Sequence, residues 1–134
     1  MGMYTEIFFR ATLVKDAPDE VLAPIRAMLG QIEVDPDDLP DHPLFECPRW
    51  DMLAQGSSYY FPDHASSGLA YDDIRKAYGL ALNADIKNYH GEVEQFFDWI
   101  NPYVDAIPGE PLGYELYEDM EPGKAPTLYF KKAA

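Results

Sequence analysis

Residues 88–107 read NYHGEVEQFFDWINPYVDAI, and the fold turns on how this stretch is placed. Val93, Phe96, Phe97, Ile100, Val104 and Ile107 recur at helical spacing and form one apolar stripe. Glu92, Glu94, Gln95, Asp98 and Asn101 lie mostly off it. The pattern predicts an amphipathic helix that covers a sheet. Pro102 predicts a bend or a separate last turn, because proline has no N–H to continue the ladder.

The flanks on both sides read as hairpins. Upstream, residues 68–74 and 78–86 pair around Arg75-Lys76-Ala77, with Leu80, Leu82 and Ala84 on one side and Ala81, Asn83 and Asp85 on the other. Before them, residues 50–55 and 57–61 read as another hairpin around Gly56, and residues 62–67 as a turn. Downstream, 112–120 and 126–132 form a final hairpin joined by Glu121-Pro122-Gly123-Lys124. Near the start, residues 4–14 alternate, with Phe8 breaking the polar face. Thr5, Ile7, Phe9, Ala11 and Leu13 share one face, which predicts a long half-buried strand. A helix follows from Pro18, with Val21, Leu22, Ile25, Met28 and Leu29 apolar and Gly30 as the stop. Pro24 predicts a kink or an irregular first turn. Residues 31–49 read as a loop, since Pro36, Pro40, Pro43 and Pro48 exclude regular pairing. Leu39, Leu44 and Phe45 are the residues able to pin it down. The expected class is α+β, a single domain over residues 1–134. It has a mostly antiparallel sheet of five to seven strands and two helices on one face, in the order β-α-β-β-β-β-α-β-β. Met1-Gly2-Met3 reads as a cloning extension ahead of a start at Met3.

Charge narrows the function classes. The chain carries 24 acidic and 10 basic residues, a formal net charge of −14. Such a chain repels phosphate backbones and anionic membranes, so a direct nucleic-acid or membrane partner is not expected, whereas a basic protein is. Cys47 is the only cysteine, which excludes an internal disulfide and fits a reducing cytoplasm. No apolar run is long enough to span a membrane.

No set of catalytic residues stands out. Asp35, Asp37, Asp38 and Asp41 crowd one loop, but their spacing is not that of a calcium-binding EF-hand, and a solvated acidic loop is the simpler reading. His42, His64 and His90 lack zinc-ligand spacing. Cys47 with His42 or His64 offers a thiolate pair, against which stands the ordinary role of a buried cysteine. No cofactor or metal is expected. Trp50, Tyr59, Tyr60, Tyr71 and Tyr78 lie in neighbouring predicted strands, as sheet packing or as an interface patch.

Several stretches resemble an uncharacterised family of small proteins encoded by bacteriophages and prophages. The carrying residues are Met3-Tyr4-Thr5-Glu6, Asp41-His42-Pro43-Leu44-Phe45, Ser58-Tyr59-Tyr60-Phe61, Ile86-Lys87-Asn88-Tyr89 with Glu92-Val93-Glu94, Phe97-Asp98-Trp99-Ile100-Asn101-Pro102-Tyr103, and Glu121-Pro122 with Thr127-Leu128-Tyr129. The resemblance implies a phage origin and a shared fold, and carries over no catalytic residue. The proline- and aspartate-rich loop and Pro24 depart from it.

From Lys87 to Lys124 no basic residue intervenes, while Glu92, Glu94, Asp98, Asp105, Glu110, Glu115, Glu118, Asp119 and Glu121 do. With the loop acids they predict a negative face able to imitate a polyanion. The expectation is a non-catalytic, cytoplasmic protein-binding module of the infected host cell. It would act as a monomer or small homo-oligomer and inhibit a basic, nucleic-acid-handling host defence protein, such as a CRISPR complex. The expected contacts are Asp35, Asp37, Asp38, Asp41, Glu92, Glu94 and Asp98, with Trp50 or Tyr60 as apolar anchor. The competing readings are a small-ligand binder or enzyme with a pocket lined by Trp50, Tyr59, Tyr60 and His64, and a structural phage component.

Overall fold

Strand β1 (Thr5–Thr12) is the centre of the molecule, and its alternation decides which side is the core. Ile7 and Phe9 are wholly buried, whereas Arg10 is exposed. The computed structural model describes residues 4–56, 66–118 and 125–133. Around β1 lie β2 (Gly68–Asp72), β3 (Ala77–Ile86), β4 (Pro111–Tyr117) and β5 (Thr127–Phe130), in one antiparallel sheet of order β2-β3-β1-β4-β5. Phe9 faces Leu82 on one side and Gly113 on the other. Gly113 is required there, since a Cβ would come within 1.9 Å of the Phe8 carbonyl oxygen.

Two helices, α1 (Asp19–Met28) and α2 (Glu92–Ile100), bury their apolar sides in the cluster that holds Ile7, Phe9, Leu82 and Ala84. The protein is therefore α+β with an antiparallel sheet and two helices, as the patterning predicts. Phe96 and Phe97 meet Phe9 edge-on, with ring centres 5.2 and 5.8 Å away. Helix α1 runs unbroken through Pro24. The N–H that proline lacks would have served the carbonyl of Glu20, in the exposed first turn and open to water. Gly30, at φ +76°, closes the helix, with Gln31 N–H bonded to the Arg26 carbonyl and Gly30 N–H to that of Ala27.

Three expectations are corrected. The helix predicted over 88–107 is α2 alone, followed by a 3-10 turn at Asn101–Tyr103. Val104 then bridges Leu13 as an isolated β-pair, and Ile107 is exposed. Pro102 accounts for the break. Glu92 and Trp99, read as lying off the apolar stripe or left out of it, are both buried. Residues 50–55 are not a strand but a 3-10 turn, Trp50–Met52, and a further turn. Their N–H groups bond locally (Met52 to Arg49, Gln55 and Gly56 to Met52), leaving too few for a ladder. The predicted pairing strand 57–61, the turn at 62–65, Met1-Gly2-Met3 and residues 119–124 lie outside the described residues. The described sheet has five strands, at the lower end of the expected range.

Candidate functional site

The loop after α1 is held by its own short turns. Asp35 caps the turn Pro36–Asp38, its Oδ1 accepting from Asp37 N–H at 3.0 Å. Leu44 is wholly buried, and Phe45 packs edge-on against Trp50 and Trp99. Leu44 and Phe45 thus pin the loop as predicted. His42 caps the next turn, Pro43–Glu46, its Nδ1 accepting from Leu44 N–H. That bond leaves the proton on Nε2, which points at Asp98 Oδ2 on α2, 2.9 Å away. The acidic loop is therefore latched to the exposed side of α2 next to Asp41.

Along α2 the carboxylates have different fates. Glu92 is wholly buried. It accepts from Arg49 N–H at 3.2 Å and from His90 N–H at 3.0 Å. As a predicted partner contact it is corrected: it is a structural acid, tying the loop to the start of α2. Asn88 Oδ1 bonds Val93 N–H and does the capping that Gly91 cannot. Glu94 is exposed. Asp98 is exposed but shared between His42 and Lys132, whose Nζ lies 3.6 Å from Oδ1. The hydrogen bond from His42, helped by the Lys132 charge, holds its carboxyl below the usual carboxylate range.

Between α2 and β5 lies a groove of about 890 Å³. Phe97 and Tyr129 stack at its base, ring centres 4.0 Å apart and nearly parallel. Tyr129 donates to Glu115 on β4, which projects on the helix side of the sheet. Burial, reinforced by the charge of Glu94 and opposed by the Tyr129 bond, raises the Glu115 carboxyl above its ordinary value. Burial and the Glu115 carboxylate push Tyr129 up as well. Among the described residues, neither Glu94 nor Glu115 has a cation within ion-pair distance. Several cations sit on aromatic rings instead: Arg10 over Phe8, Arg26 over Tyr78, Arg49 over Tyr89, Lys87 over Tyr4. Sequence reading missed the groove. The signal it held was parity: Glu115 shares its face with Gly113, which pairs Phe9.

The remaining predicted residues are spread out. Asp35, Asp37, Asp38 and Asp41 are exposed on the loop. Trp50 is half-buried against Phe45 and borders a separate hollow of about 660 Å³ with Glu33 and Asp51. Tyr59, Tyr60 and His64 lie outside the described residues. Glu118 belongs to another part of the surface, accepting from Tyr4 N–H at 2.8 Å.

Comparison with protein-family models, with curated proteins and with solved structures finds no match for this chain. The site is accordingly read from its own chemistry. Among the described residues no group of three His, Cys, Asp or Glu is arranged to hold a metal ion. Cys47 is buried, with its thiol 3.5 Å from the carbonyls of Pro43 and His90. Burial and the nearby Glu92 and Glu46 push the thiol up, away from a reactive thiolate. Among the described residues no helix is long and apolar enough to cross a membrane.

Proposed function

We propose that this protein is an acidic, non-catalytic protein-binding module that receives a basic partner by imitating a polyanion. The observation that carries the reading is the latch between His42 and Asp98, which brings the acidic loop against the acidic side of α2. Glu94, Glu115 and Asp41, the neighbour of the latching His42, are its working residues, with Asp98 at their junction. Glu92 drops out because it is buried. The sequence resemblance to phage and prophage proteins supports the finer reading, inhibition of a host nucleic-acid-handling defence protein in the infected cell. The test is competition. The chain should displace DNA from basic DNA-binding host proteins at low salt and lose that ability as salt rises. Failure to retain any basic protein at low salt contradicts the reading.

One observation favours a second reading, an enzyme or small-ligand binder. Glu115 and Asp98 line the same groove and are shifted in opposite directions, as general acid–base pairs are. Saturable binding of a neutral small molecule in the groove, unaffected by salt, would favour it.

A further inference from the structure

Among the described residues β5 is an edge strand, and its outer edge is only partly occupied. Lys131 exchanges backbone bonds with Gly109 and Glu110 on the inner side, so alternation turns the even-numbered residues outward. At the far end Asn101 fills the outward positions: its Nδ2 donates to the Phe130 carbonyl and its Oδ1 accepts from Lys132 N–H, both at 3.0 Å. Lys132 closes the same end across to Asp98. The outward N–H and C=O of Leu128 and the N–H of Phe130 have no bonded partner among the described residues. They border the groove whose opposite wall carries Glu94 and Asp98.

The two faces of this edge differ. On the helix side stand Glu94 and Glu115, together with two lysines already engaged at the far end, Lys131 donating to the Asn101 carbonyl and Lys132 paired with Asp98; on the opposite side Leu128 and Phe130 are about half exposed, at 56% and 45%. We infer that the groove takes an extended segment of the partner as a sixth strand beside β5, with basic side chains toward Glu94 and Glu115 and apolar ones beside Leu128 and Phe130. Strand addition supplies affinity through the main chain and specificity through alternate side chains. Glu94 and Glu115, the groove carboxylates with no ion-pair partner among the described residues, select a basic segment. A second copy of this chain carries a net charge of −14 itself, which disfavours self-pairing. The inference rests on the basic-partner reading and adds the mode of contact.

The probe is a short peptide of alternating lysine and valine, titrated at low salt against the intact chain. A matched peptide with alternate backbone amides methylated keeps the charge and side chains but cannot pair. The paired form should bind at least about tenfold more tightly, the effect of losing two or so backbone hydrogen bonds. Leu128→Pro removes one outward N–H at a position where an edge strand tolerates proline, and should weaken the unmethylated peptide similarly. Its melting temperature is measured alongside. If that variant fails to fold, the methylated peptide on the unaltered chain decides. Equal, salt-sensitive binding of both peptides overturns strand addition and leaves the basic-partner reading standing. Binding of neither at low salt overturns both. Concentration-dependent dimerisation abolished by Leu128→Pro, without peptide binding, assigns the edge to a second copy and overturns the inference.

Discussion

Two glutamates, one opening α2 and one facing it from β4, behave as opposites. Glu92, at the start of α2, is wholly buried, with backbone N–H groups donated to both carboxylate oxygens. Glu115, on β4 and lining the groove, is half-buried beside a second carboxylate and has one tyrosine hydroxyl. The first is a charge the fold uses up; the second is a charge the fold leaves under-compensated. In an acidic protein the difference separates carboxylates that build the scaffold from those that, on the proposed function, are left for a partner.

The comparison breaks most visibly if the groove's base is removed. Phe97→Ala deletes a buried ring that stacks on Tyr129 and meets Phe9, and should cost about 3–5 kcal/mol in denaturant unfolding. Glu92→Ala takes the acceptor from the part-buried N–H groups of Arg49 and His90, for an expected loss of about 1–3 kcal/mol by the same measurement. A loss near zero would mean that Glu92 is no more structural than Glu94.

Glu115→Gln should act in the other direction. A carboxyl whose pKa is raised in the fold binds its proton more readily folded than unfolded, so ionised Glu115 opposes folding near neutral pH. The amide should stabilise the protein at neutral pH. That gain should fade as the pH falls through the raised folded value toward the unfolded one, where Glu115 is protonated in both states. Peptide binding should weaken in the same variant. The smallest effect is that of Asp98→Asn. Asp98 is exposed and its pKa is lowered, so its contribution is present above the unfolded value and lost as pH falls through the folded one. A surface pair of this kind is worth a few tenths of a kcal/mol, roughly. The expected change in stability is correspondingly small, with greater proteolytic sensitivity in the loop.

Much of the fold was legible because its periodicities are local. Ile7 and Phe9 in β1, Leu80 and Leu82 in β3, and the pairing of β2 with β3 and of β4 with β5 follow from alternation and turn residues. Residues 50–55 were misread because an apolar run does not reveal that its N–H groups close 3-10 turns. Glu92 was misread because acids in a helix's first turn usually face solvent and the dipole, and only the loop folding back makes that position interior. The groove escaped notice for a related reason. Glu115, Tyr129 and Glu94 are brought together by sheet order and helix packing, which no spacing in the chain encodes.

The central claim is that presented carboxylates converge where α2 meets β5. Backbone chemical-shift mapping of the labelled chain during titration with oligolysine at low salt tests it most directly. The account predicts shifts concentrated at Glu94, Asp98, Glu115, Leu128 and Phe130, with weaker ones around Asp41. Shifts of equal size at remote acids such as Asp19, Asp72 and Asp105 would contradict it.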